Sequence, residues 1–285
     1  MFVSFRVRTS TFAGLALSAA VVAAAIVSAV PASARDDKPG VSVGNASFVR
    51  KIVSADSVEQ MGTQQYGQLL QKANQQGALV MENHPQVQRL RKIARDLLPH
   101  ATTWNERAKA WSWEVNLFRS PTINAFCMPG GKIAFFSGIL EKLQLTDDEV
   151  AMIMGHEIAH ALREHSRERL AKQKLTSFGA IAVGLVLGDA AGQIANVGGG
   201  LYGLKFGRND ETEADLVGME MAARAGYDPR AGISLWEKMA QAGGGKQPPQ
   251  WMSTHPSHST RIDTIRSNLP KVMPLFEQVH ASARR

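Results

Sequence analysis

His156, Glu157 and His160 lie in Gly155-His156-Glu157-Ile158-Ala159-His160, an H-E-x-x-H pattern. On an α-helix, positions four apart differ by about 40° in direction and about 6 Å in height, so both imidazoles reach one metal ion from the same face. Glu157, one residue on, can approach a water at that ion without filling a coordination position. Two neutral imidazoles and an adjacent carboxylate are the minimum equipment for zinc-activated hydrolysis. The bland alternative is a buried helix that carries the three groups by coincidence, which apolar-faced helices seldom do at this spacing.

Two histidines leave a catalytic zinc one protein ligand short. The stretch Asn209-Asp210-Glu211-Thr212-Glu213-Ala214-Asp215 supplies the candidates, with acids crowding the start of a helix that continues through Leu216, Met219, Met221 and Ala222. Glu211 and Asp215 are four apart and share a face. One can bind the metal while the other holds a ligand histidine through its free N–H; Glu211 is favoured as the ligand. Glu213 points to another side. Asn209 or Asp210 can serve as the helix cap. The dipole alone would explain acids at this place. His165, five residues past His160, reads as an exposed residue off the metal face.

The elements that must position these groups are legible around them. Thr146 and Glu149 form a capping box, and Val150, Ile153, Met154, Ile158, Ala161 and Leu162 recur at helical spacing before a charged continuation through Arg163 to Arg169. Helices are expected over 55–76 and 84–98. Residues 111–118 alternate as a strand. Strand, turn and strand follow from Ile123 to Ser137, with Pro129-Gly130-Gly131 as the turn. A strand so close to the metal helix could be a sheet edge along which an extended peptide pairs, or an ordinary hairpin over the core.

Residues 1–34 resemble an export signal, with Arg6 and Arg8, an apolar stretch from Phe12 to Val30, Pro31 and an Ala32-Ser33-Ala34 cleavage site. The alternative is a retained anchor. The signal holds two of the 32 basic residues and none of the 25 acids, so its removal lowers the net charge from +7 to +5. That charge is spread along the chain, which argues against nucleic-acid binding. Residues 35–54 read as a linker, 55–270 as one domain and 271–285 as a tail. The single Cys127 excludes an intrachain disulfide. The apolar run 178–187 is too short to span a bilayer and reads as a buried helix. Cleft lining or peripheral membrane contact is the other role open to it. The Gly-rich stretch to Gly200 reads as a loop.

Taken together, Asn124-Ala125-Phe126 with Pro129-Gly130-Gly131, then the H-E-x-x-H helix, then Glu211 to Asp215 as E-x-x-x-D, then Thr254-His255-Pro256 with Arg261-Ile262 resemble a known family. It is the zinc endopeptidase family that includes HtpX, the CAAX prenyl endopeptidase and the mitochondrial Oma-type protease, family M forty-eight. The likeness covers roughly residues 55–270. It implies an α+β, mainly helical gluzincin-type fold with a small sheet beside the active-site helix, and one zinc ion held by His156, His160 and Glu211. It further implies Glu157 as general base, Asp215 behind a ligand, and Lys132, Ile133, Ala134, Phe135 and Phe136 as a substrate-pairing strand. His255 could stabilise the oxyanion or block the metal.

The resulting expectation is an exported, periplasmic endopeptidase for unfolded or misassembled envelope proteins. The competing reading is a holdase or assembly factor with latent peptidase activity. A hydrolase of cell-wall peptides is a third, without any wall-binding motif behind it.

Overall fold

A computed structural model describes residues 39–187, 201, 204–244, 249–256 and 260–282, with the backbone alone from 177 to 187. Residues 1–34, expected to be an export signal, and the Gly-rich stretch up to Gly200 lie outside the described residues. Two long helices come first, α1 (Ala55–Gln75) and α2 (Pro85–Leu97). The side chain of Ser54 caps α1 and that of His84 caps α2, and Pro85 stands at the first helical position, where its missing N–H costs nothing.

The sheet follows, built from β1 (Glu114–Phe118), β2 (Ala125–Met128) and β3 (Lys132–Phe136). Gly130 and Gly131 turn the hairpin with φ of +84° and +80°, a conformation L side chains rarely adopt. A Cβ on Gly131 would also lie 2.7 Å from the Trp113 ring. The strand order is β1-β3-β2, with β1 parallel and β2 antiparallel to β3.

This order corrects the expected edge. Lys132, Ile133, Ala134, Phe135 and Phe136 form the central strand, bonded to a neighbour on each side, and cannot accept a third strand. Lys132 donates to Ser112 O and pairs with Glu114, while Ile133, Ala134 and Phe135 are fully buried. The strand with β3 on one side and the helix below it is β2.

After the short α3 (Ser137–Lys142) comes the central helix α4 (Asp147–Leu162), buried from Glu149 to Leu162. Its start has the expected capping box: Glu149 N–H donates to Thr146 Oγ1 at 3.3 Å and Thr146 N–H to Glu149 Oε2 at 2.8 Å. Lys238 and Ser234 add 2.7 Å contacts to the same carboxylate. Burial pushes the pKa of Glu149 up, but Lys238, the Thr146 N–H and Ser234 outweigh it and hold the pKa below the usual 4.5. The lowered value means that this group stabilises the fold above pH ~4.5 and ceases to do so as pH falls through its folded value. We expect Thr146→Ala to cost about 1 kcal/mol by chemical denaturation at neutral pH, and less once Glu149 is protonated.

The charged continuation does not prolong α4. The chain breaks at Arg163 and Glu164, where Glu164 has φ +58°, and α5 (His165–Leu187) starts in a new direction. The backbone of the apolar run 178–187 is helical, and its side chains lie outside the described residues. The remaining helices are α6 (Arg208–Arg224), α7 (Ala231–Gly243), α8 (Gln250–Thr254) and α9 (Thr260–Ser282). The cap of α6 is Gly207, whose N–H donates to Asp210 Oδ2 at 2.8 Å; Asn209 and Asp210 are inside the helix.

The expected linker is partly docked. Gly40 N–H donates to Lys271 O, Val41 N–H donates to Glu220, and Val41 and Val43 pack on the core. The expected tail boundary at 270/271 falls inside α9, where Val272 and Leu275 are buried.

Helices α4 and α6 touch through their backbones. A Cβ on Gly155 would lie 2.8 Å from Gly218 O, and one on Gly218 would lie 2.6 Å from His156 N. Two glycines at the crossing let the helices approach closer than any side chain permits. That contact brings the acids of α6 onto the histidines of α4.

Candidate metal centre

His156, His160, Glu211 and His255 converge, each almost fully buried, with one donor atom apiece inside a 4.8 Å span. The Nε2 atoms of His156 and His160 are 3.0 Å apart. Glu211 lies 3.6 Å from His156 Nε2 and 3.5 Å from His160 Nε2. His255 Nδ1 lies 3.2 Å from His156 Nε2 and 3.1 Å from Glu211 Oε1. Ligands about 2.0–2.1 Å from a tetrahedral ion stand roughly 3.3 Å from one another. The donor types and their spacing therefore fit a divalent metal ion. Glu211 and the two motif histidines are together, as the residue types suggested, and His255 joins them.

Asp215 stands behind His156, with Oδ1 3.0 Å from Nδ1. A carboxylate only accepts, so the bond is donated by His156 Nδ1–H, and Nε2 is the atom that faces the cluster. Arg261 forks onto Asp215 at 2.6 and 2.7 Å and reaches Glu211 with its other nitrogen. Its guanidinium lies 3.8 Å over the Trp236 ring. Burial raises Asp215, but Arg261 and His156 outweigh it and bring its pKa down to about 2. Burial works against the charge on Arg261, and the two carboxylates keep it protonated. Glu211 is likewise lowered, since His255, His156 and Arg261 outweigh its burial.

Burial, then the neighbouring imidazoles, push His160 well below 6.5, so the ring is neutral. A neutral ring is what coordination needs. His255 moves the other way: burial lowers it, but the carboxylates of Glu157 and Glu211 outweigh burial and hold it above 6.5. Glu157 is buried, with Oε1 accepting from Trp251 Nε1–H at 2.6 Å and lying 3.5 Å from His255 Nε2.

The cleft beside these groups is lined by Asn124–Met128, Glu157, Phe206 and His255. Its sheet wall is β2, in place of the expected 132–136. Phe206 stacks on His160 at 4.0 Å and 28°, and its N–H donates to Thr254 O. Cys127 belongs to this wall, where burial and Glu157 push the thiol up and keep it unreactive.

Several contacts escape a reading of the residues in order. His165 is buried, not exposed: its Nδ1 lies 2.9 Å from His160 Nδ1 and its Nε2 lies 3.4 Å from Glu213. Nothing local signals the left-handed turn at Glu164 that carries it there. Trp251 and Phe206 come from loops and short elements far along the chain. Arg261 carries a hint only in its place after Thr254-His255-Pro256.

The sequence profile of Peptidase family M48 matches residues 84–269. Among curated relatives, the mitochondrial metalloendopeptidase OMA1 of Saccharomyces cerevisiae is 36% identical over 60% of this chain and 51% of its own. The mitochondrial metalloendopeptidase OMA1 of Schizosaccharomyces pombe is 39% identical over 56% of this chain and 47% of its own. The beta-barrel assembly-enhancing protease of Escherichia coli is 26% identical over 79% of this chain and 50% of its own. The chain thus spans about half the length of these relatives. With the profile covering most of its length and the donor set assembled as described, the chain belongs to Peptidase family M48.

Proposed function

We propose that the protein is a zinc endopeptidase that cleaves unfolded or misassembled proteins of the cell envelope. The observation that carries this reading is the convergence of His156, His160 and Glu211 on one point, with Glu157 beside it. These three would hold the ion, and two imidazoles with a carboxylate suit zinc. When bound, zinc supplies a Lewis acid for the scissile carbonyl and lowers the pKa of water to ~7.

Glu157 takes the proton of the attacking water and delivers it to the leaving amine nitrogen. The Trp251 N–H holds one carboxylate oxygen and leaves the other for the proton. Asp215 fixes the His156 tautomer. The substrate lies extended along β2, so backbone pairing selects unfolded segments over particular side chains. Proteins with beta-barrel assembly or mitochondrial roles among the relatives support a role in protein quality control. The pattern of residues 1–34 supports export to the periplasm. No helix of the described residues is long and apolar enough to cross a membrane.

A second reading has its own support. With His255 as a fourth donor the ion would lack an open position, as in structural sites. In that reading the resting protein is latent, and its service to the envelope is binding.

The first reading is tested with the purified full chain. It should carry one zinc ion and cleave an unfolded protein; a chelator should abolish cleavage and added zinc restore it. Cleavage that persists in metal-free protein would exclude the mechanism.

A further inference from the structure

Ligand histidines ordinarily hold their second ring nitrogen against a carboxylate or a backbone carbonyl. His156 follows that pattern with Asp215. His160 does not: its Nδ1 faces the Nδ1 of another imidazole, His165, at 2.9 Å. Two nitrogens at that distance share one proton, so one donates and the other accepts. If His160 offers Nε2 to the ion, its proton is on Nδ1 and His165 Nδ1 must accept. The His165 proton is then on Nε2, where the Glu213 carboxylate faces it at 3.4 Å. Glu213 is fixed in turn by Arg163 Nε, which donates to the same oxygen at 2.8 Å. Each hydrogen bond in the row sets the next.

The left-handed Glu164 makes this possible. In an uninterrupted helix, residues five apart point about 140° from each other. The break at Glu164, with φ +58°, folds His165 back onto His160. Phe206 stacks on the His160 ring and holds its plane.

We propose that His165, oriented by Glu213, is a positioning residue that holds His160 in the tautomer and direction required of a metal ligand. This rests on the metallopeptidase reading above, and its test separates the two. The full chain is titrated with zinc against a chromophoric chelator, and the absorption of the cobalt-loaded protein is recorded. Wild type should bind tightly. His165→Ala should bind about 10–100-fold more weakly, with an altered cobalt spectrum, and kcat should fall while KM holds. His165→Gln can present an amide oxygen to the His160 N–H and should restore most of the affinity. Glu213→Gln should weaken binding in the same direction by a smaller factor. It also leaves the His165 ring in place should the alanine variant fold poorly.

Zinc bound by His165→Ala as tightly as by wild type, with an unchanged cobalt spectrum, would overturn the role of His165 alone. Equal loss in His165→Ala and His165→Gln would also overturn it, since bulk and not an acceptor would then matter. A wild-type chain that binds no metal would remove the metallopeptidase reading and this inference with it.

Discussion

Glu157→Gln is expected to lower kcat on an unfolded protein by about 10²–10⁴-fold while leaving the zinc content at one per chain. The substitution is nearly isosteric. Glu157 is buried and accepts from Trp251 Nε1–H at 2.6 Å, and an amide oxygen can accept the same bond. What the amide cannot do is take a proton from water. The donor set of His156, His160 and Glu211 is untouched, so metal binding should not follow the loss of rate. Metal analysis and single-turnover kinetics on the same preparation check both halves. A variant that cleaves at the wild-type rate rejects Glu157 as the base. The same variant decides the second reading: if cells carrying only Glu157→Gln keep a normal envelope, the service is binding and not cleavage.

Arg261→Leu should be among the most destabilising single changes in the chain, at about 3–5 kcal/mol. The side chain is 1% exposed and neutralises two carboxylates that are themselves buried. Leucine replaces the stem and the contact with Trp236 but leaves Asp215 and Glu211 without their cation. Leaving charges buried and unpaired costs far more than the pair contributes when intact. A bound ion would compensate Glu211 and only partly Asp215. The loss, measured by denaturant unfolding, should therefore be larger after chelation than with zinc present. Arg261→Lys should recover only part of it, because one ammonium cannot span both carboxylates with the geometry of a guanidinium fork. A loss below about 1 kcal/mol in the chelated protein would mean that Arg261 does not balance these acids.

The local elements were legible for local reasons. The α4 start is written in Thr146 and Glu149, two residues three apart whose side chains and backbone N–H groups satisfy each other. The hairpin is written in Gly130 and Gly131, which alone tolerate its backbone. Helix α2 declares itself by Pro85 and by apolar residues at helical spacing. The metal pair His156 and His160 is a matter of helical geometry alone, so the motif suffices.

The misread elements share a cause. The hairpin pattern shows that β2 and β3 pair. It cannot show that β1 takes the other side of β3, because parallel pairing joins segments that no short turn connects. Helical spacing carried past His160 put His165 on the surface, since a glutamate with positive φ at 164 has no marker such as glycine. Arg261 offered only its place after Thr254-His255-Pro256, which does not say what it pairs with. Only the two carboxylates around it make its burial tolerable.

By itself the sequence determined the family, the metal-binding helix and the chemistry open to it, because those depend on residue types within one or two helical turns. The tertiary structure alone decided the rest. The Gly155–Gly218 contact brings Glu211 and Asp215 to the imidazoles, and the sheet order gives β2 the cleft. Arg261 and Trp251 close around the site from distant parts of the chain, and His165 folds back onto it through the turn at Glu164. Such contacts depend on how closely whole helices approach one another, and that distance is set by packing that no local pattern records.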